Sequence, residues 1–329
     1  MANIVLGVGT SHSPMLNSPA EDYPKHAEID AKGRRLLDKI GRPCTYGELL
    51  AKADPKIKDE LKLEVMQAKV AKCNAAVERV SKEIKDAKLD ALIVIGDDQN
   101  EQYGDDNMPA VLIYTGETID NHPLLLGEDA PEFWRRARSQ YHESNGVRAY
   151  PVAAKLALHI TDCLMDNGFD ISHAKRLGKD IGEGHAFGFV HRRLMTDYLI
   201  PIVPVALNTY SAPNQPRPRR CYDLGVAIRK AVQTATGYER VGIIGSGGLS
   251  HFYLDEELDQ LVLDACRRKD REALSSIPPE QLNSGSSEIR NWITAAAASE
   301  HLGTDWQEYV PCYRSAAGTG YGAGFAVWR

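Results

Sequence analysis

Apolar positions along the chain follow two periods. Short unbroken apolar runs bounded by glycine or polar clusters read as buried strands: Ile4–Val8, Ala91–Ile95, Met108–Tyr114, Ile200–Ala206 and Val241–Ile244. Elsewhere apolar residues recur at helical spacing. Such segments lie around Ala27–Ile40, over Pro55–Ala87 (Leu61, Val65, Met66, Val70, Val77, Val80, Ile84), in Val152–Asn167 and Tyr222–Thr236, after His251, and in Ser286–Ala298 behind capping residues. Phe169–Ile171 reads as a short strand and Gly318–Trp328 as a final one, while positions 128–150 read as loop and helix without recognisable chemistry. Strands and helices alternate with no long Pro/Gly/Ser linker, which predicts a single α/β domain over residues 1–329: a central mixed sheet flanked by helices, with a helical insertion at about 20–90 after the first strand. That insertion is expected to be a solvated helical pair packed on the sheet, with a lid or a subunit contact as the other options.

Composition narrows the class. With 43% hydrophobic and 26% charged residues, the 329-residue chain is typical of soluble globular proteins. A net charge of −6 and a pI near 6.0 argue against nucleic acid as a partner. No apolar run approaches the roughly 18 residues needed to span a bilayer, and Met-Ala-Asn-Ile-Val is not a secretory signal, so the expected partners exclude membranes and the expected location is the cytoplasm. The six cysteines are widely spaced, without a CxxC pair, and read as reduced thiols. A homodimer is expected on the general frequency of isologous pairs.

Chemistry gathers where strands end. Val241–Ile244 runs into Gly245-Ser-Gly-Gly-Leu-Ser-His251, a turn whose glycines allow close backbone approach and which then presents a histidine. The first strand repeats the arrangement with Gly9-Thr-Ser-His12-Ser-Pro14, and the second ends in Gly96-Asp-Asp-Gln-Asn-Glu101. His185, inside Gly182-Glu-Gly-His185-Ala-Phe-Gly188, is a better site candidate than His173, which has Ser172, Lys175 and Arg176 for neighbours. Open α/β sheets place their sites beyond strand ends of this kind.

Taken together, His12, Gly182-Glu-Gly-His185, Gly245-Ser-Gly-Gly-Leu-Ser-His251 and Ser287-Glu288-Ile-Arg-Asn-Trp292 resemble the class III (LigB-type) extradiol ring-cleavage dioxygenases, the superfamily of the protocatechuate 4,5-dioxygenase β subunit. The resemblance runs from Ser11-His12-Ser-Pro14 through Arg220-Cys-Tyr-Asp-Leu-Gly225 to the glycine-rich tail, and the length, insertion and Gly-Asp-Asp-Gln stretch look most similar to the 3-O-methylgallate branch. It implies a LigB-like fold and non-haem Fe(II) held by His12 and Glu288, with dioxygen as co-substrate. It also implies His251 as the acid/base residue and His185 as a hydrogen-bond partner of substrate oxygen. The substrate would be a catecholic aromatic acid, opened between a hydroxylated and a non-hydroxylated carbon.

Where the family has a second histidine ligand, this chain has Gln99, which offers a neutral oxygen; Asp97, Asp98 or Glu101 are the alternatives. Tyr210, Arg217 and Tyr321 are candidates to hold a substrate carboxylate. Two other readings stay open. One is a non-catalytic Memo-like binding protein, motivated by the loss of the histidine; the other is a zinc-dependent hydrolase completed by an aspartate of Asp97-Asp98.

Overall fold

Four of the apolar runs form the parallel centre of one sheet. The computed structural model describes residues 1–33, 36–127 and 129–329. Among these, nine strands share the main sheet: β1 (Asn3–Thr10), β2 (Ala91–Asp97), β3 (Val111–Tyr114), β4 (Ser172–Ala174), β5 (Ile202–Leu207), β6 (Arg240–Ser246), β7 (His251–Tyr253), β8 (Thr304–Tyr313) and β9 (Thr319–Trp328). The spatial order is β7-β9-β1-β6-β2-β5-β3-β4, with β8 along the other side of β9. The pairs β1/β6, β6/β2, β2/β5 and β3/β4 are parallel, whereas β3/β5 and every pair made by β9 are antiparallel, so the sheet is mixed.

The central strands are apolar on both faces because both faces are covered. Ala91, Ile93 and Ile95 face a layer containing the helices Ala154–Asp166, Pro218–Thr234 and Ile289–Ala298. Leu92 and Val94 face the opposite layer, where Leu63–Asp86 contributes Met66, Cys73, Ala76, Val77, Val80 and Ile84 at helical spacing. Two-residue alternation on the strand thus meets 3.6-residue periodicity on the helices.

Register aligns the ends of the central strands. Thr10 lies opposite Ser246 and Gly245 opposite Ile95, so the segments leaving β1, β2 and β6 emerge side by side. The other direction of β9 brings its start to the same edge, with Tyr321 opposite His251. Glycine then lets a helix close over this edge: a Cβ on Gly247 would stand 2.8 Å from Asn291 Nδ2 and 3.1 Å from the Glu288 Cβ. Buried Trp292 locks the contact by donating its ring N–H to Gly247 O at 2.8 Å.

Several elements differ from the periodicity reading. The helix expected around 27–40 runs instead from Tyr23 to Ala31; Leu36–Leu37 pairs with Pro43–Cys44, because Leu36 is buried against Leu49 and Ala317. Positions 34 and 35 of that expected helix lie outside the described residues. The strand expected at 169–171 forms at Ser172–Ala174, while Phe169 packs into the helical layer. Glu128 lies outside the described residues; beyond it the expected helix is Glu132–Ser139, and Arg148–Pro151 pairs with Thr118–Asn121 as a small hairpin. The run expected as one helix from Ser286 opens as a 3₁₀ turn, Ser284–Glu288, before the α-helix Ile289–Ala298.

Candidate metal centre and active-site cavity

His12, Asp97, His185 and Glu288 are all buried, and one potential ligand atom from each lies within 4.8 Å of all the others. His12 follows β1, Asp97 ends β2, His185 opens the short helix His185–Phe189, and Glu288 sits at the joint before Ile289–Ala298. His12 Nε2 lies 3.1 Å from Glu288 Oε2 and 3.7 Å from Asp97 Oδ1; His185 Nε2 lies 3.5 Å from Asp97 Oδ2.

The hydrogen-bond network fixes what His12 presents. Ser246 Oγ donates to Ala186 O at 2.8 Å, so toward His12 Nδ1, 3.1 Å away, it acts as acceptor and Nδ1 carries the proton. Nε2 is then the ring nitrogen that faces the two carboxylates, Glu288 and Asp97. A partner on the outer nitrogen that orients the inner one is how proteins prepare histidine ligands. His185 is held in the same manner, its Nδ1 2.6 Å from Glu101 Oε2, which also accepts from the His185 backbone N–H at 2.9 Å.

Electrostatics agree with the geometry. Burial, then the charge of Glu288, pushes the Asp97 carboxyl up to about 6. Burial alone would lower the His185 imidazole, yet Glu101 and Asp97 carry it up to about 10. Burial would raise Glu288, but His251 and His12 hold it well below the usual carboxylate range. Two buried carboxylates this close need compensating positive charge. The donor set of imidazole and carboxylate, with His12 Nε2 turned inward, fits a divalent metal ion.

Around this core, Glu288 accepts from the Gly248 backbone N–H at 2.5 Å and from the Tyr210 hydroxyl at 2.7 Å. Asn291 Nδ2 donates to Asp97 Oδ1 at 3.2 Å. Gln99 is exposed, but its Nε2 reaches Asp97 Oδ2 at 3.4 Å and both His185 Nε2 and Glu288 Oε1 at 3.3 Å. His251 Nδ1 faces Leu249 O at 2.9 Å, which fixes a proton there and leaves Nε2, 3.2 Å from Glu288 Oε1, as the atom that titrates. Its imidazole would be lowered by burial but is raised overall by Glu288.

Beside the cluster opens a cavity of about 150 Å³, with His12, Gln99, His185, His251 and Glu288 at one end. Trp134, Arg138, Tyr141, Phe252, Arg314 and Tyr321 line the rest, together with His26 and Ile29 from the insertion. Part of the insertion is therefore cavity wall.

Residues 49–324 match the family described as the catalytic LigB subunit of aromatic ring-opening dioxygenase. The chain belongs to this LigB family. A 2,3-dihydroxyphenylpropionate/2,3-dihydroxicinnamic acid 1,2-dioxygenase of Comamonas testosteroni is 35% identical over 100 residues, 30% of either chain. A gallate dioxygenase of Pseudomonas putida is 34% identical over 100 residues, 30% of this chain and 28% of its own. An Azotobacter vinelandii protein with the same name as the Comamonas one is 27% identical over 183 residues, 55% of this chain and 50% of its own. These matches span half or less of the length of each curated relative.

Five of the residues singled out in the sequence, His12, Gln99, His185, His251 and Glu288, converge in this LigB chain. His12 lies ahead of the matched span, so its place rests on geometry. Asp97, one of the alternatives to Gln99, stands within the cluster, whereas Asp98 turns away and accepts the backbone N–H groups of Glu101, Gln102 and Tyr103. Tyr210 bonds to Glu288, and Tyr321 lines the cavity. Arg217 is exposed ahead of the helix Pro218–Thr234 and is not among the cavity-lining residues. Sequence reasoning missed Trp134, Arg138 and Tyr141. The segment Glu-Phe-Trp-Arg-Arg-Ala-Arg-Ser, with three arginines in eight residues, was the available signal.

Proposed function

We propose that this LigB chain is an Fe(II)-dependent extradiol dioxygenase that opens the ring of a catecholic aromatic acid of the protocatechuate, gallate or 3-O-methylgallate type, acting in the cytoplasm. The observation that carries the reading is the inward-facing, acceptor-rich cluster of His12, Asp97 and Glu288 beside a ring-sized cavity containing two further histidines. His12 and Glu288 would hold the metal, with Gln99 as the third ligand through its amide oxygen and Asp97 next to it as a second carboxylate. An amide offers nitrogen or oxygen from nearly the same position, so the reach of Gln99 Nε2 is also the reach of its Oε1. When bound, the ion would supply Lewis-acid binding of a diol and activation of dioxygen.

The protein's own groups would handle protons and orientation. His251 Nε2, with Nδ1–H tied to Leu249 O, is placed to take a phenolic proton and later return one. His185, kept protonated by Glu101, would donate a hydrogen bond to a substrate oxygen. Tyr141, whose hydroxyl donates to His12 O at 2.5 Å, packs edge-on against the His185 ring, and Phe252 and Trp134 would limit water.

The test is dioxygen uptake by protein loaded anaerobically with Fe(II), against protocatechuate, gallate, 3-O-methylgallate and catechol, with the absorbance of a ring-opened product as second readout. Uptake with a member of the panel is expected. Silence across the panel with iron bound would reject this substrate class; tight zinc without uptake would favour a hydrolase, and failure to bind any metal a Memo-like binding protein.

A further inference from the structure

Two arginines line the cavity, and they differ in what they are already doing. Arg314 is committed: Nε donates to Asp30 Oδ2 at 2.6 Å, Nη2 to Asp30 Oδ1 at 2.9 Å, and Nη1 faces Met15 Sδ at 3.3 Å. Arg138 makes one long hydrogen bond, Nη2 to Glu101 Oε1 at 3.4 Å, and its guanidinium lies over the Trp134 ring, 5.9 Å from the centroid, while its Nε is buried without a hydrogen-bond partner. Glu101 spends its other oxygen on His185. The Arg138 guanidinium therefore stands one carboxylate away from a catalytic imidazole, with most of its fork unused.

A guanidinium in such a position matches a carboxylate, which it can hold through paired, charge-assisted hydrogen bonds. We propose that Arg138 recognises the acid group of the substrate and sets a preference for catechols that carry a carboxylate over neutral ones; this rests on the ring-cleavage reading above. Arg138 also lines an adjoining cavity of about 270 Å³, so its guanidinium borders open space on both sides. Glu101 would keep His185 while yielding Arg138 to the incoming anion, which couples acid binding to the histidine's surroundings.

The test is anaerobic calorimetric binding of 3,4-dihydroxybenzoate and of catechol to Fe(II)-loaded wild type, Arg138→Gln and Arg138→Lys, followed by turnover of both ligands. Arg138→Gln is expected to weaken 3,4-dihydroxybenzoate by about ten- to hundredfold and leave catechol within about twofold, with Arg138→Lys in between. Equal weakening of both ligands would show that Arg138 acts only through Glu101 and His185, and no change in either would show that it touches no substrate; both overturn the assignment. Arg138-dependent binding without ring opening would keep the anion site and reject the dioxygenase reading, whereas wild type binding neither ligand would remove both.

Discussion

The strand-end cluster and the wall of the cavity are built on opposite terms. In the cluster each of the four candidate ligands is held from behind: His12 by Ser246, His185 by Glu101, Glu288 by Gly248 and Tyr210, and Asp97 by Asn291. The wall comes from the insertion, from Glu132–Ser139 and Tyr141, and from Phe252, Arg314 and Tyr321 at the far side of the sheet edge, and it mixes a fully paired cation, Arg314, with an underused one, Arg138. Side chains fixed by buried partners suit chemistry that needs fixed atoms, whereas an uncommitted donor suits recognition of something that comes and goes.

Breaking the cluster should have the largest effect. His12→Ala and Glu288→Ala are each expected to abolish stoichiometric iron binding and lower turnover by at least about a thousandfold, checked by metal analysis after anaerobic loading. A variant that retains a full equivalent of iron would strike that residue from the ligand set.

Breaking the wall should cost stability and spare the metal. Asp30→Ala leaves the Arg314 guanidinium buried and unpaired, with its side chain only 6% exposed, and is expected to destabilise the fold by about 3–5 kcal/mol in denaturant titrations while iron binding stays intact. Loss of iron in the folded variant would join the two regions that the comparison separates.

The departure from the family pattern sharpens the cluster itself. Gln99→His is expected to tighten iron and Asp97→Asn to weaken it, each by about ten- to hundredfold in competition with a chelator. If Asp97→Asn changes nothing, Asp97 acts as a neighbouring charge outside the ligand set.

The smallest effect concerns the support of the His251 strand. Asp259 is buried, accepts from the Ser250 N–H at 2.7 Å and from the hydroxyls of Ser250 and Tyr309, and burial pushes its carboxyl from 3.8 up to about 7. Folded protein thus holds a proton that the unfolded chain has released. The stabilisation is complete below about pH 4 and is lost as pH rises through 7. Asp259→Asn, which does not titrate, is expected to gain stability relative to wild type across that window by up to about 1 kcal/mol per pH unit, read from unfolding midpoints at pH 5, 6, 7 and 8. A constant difference would place the carboxyl's titration outside the window.

Much of this was legible in the chain because its causes are local. An apolar run that breaks into glycine and then a histidine is a strand-end signal, and His12 and His251 carry it. His185 was marked by flanking glycines, of which Gly184 adopts a left-handed φ of 75° that few other residues accept. The strand Thr304–Tyr313 carries no such signal, since Asp305, Glu308 and Pro311 disfavour strands; it forms because it pairs with the last strand from Gly320 to Trp328.

The sequence by itself determined the single α/β domain, the central strands and the histidines at their ends, since periodicity and turn chemistry act over a few residues, while Glu288 was marked only by the family resemblance. Tertiary structure alone decided that His12 and Glu288, 276 positions apart, face each other at 3.1 Å, that Asp97 joins them while Asp98 turns away, and that Arg138 reaches the cavity while Arg217 stays at the surface. Those outcomes depend on strand register and on one helix closing over glycine, and neither leaves a trace in the residues that it brings together.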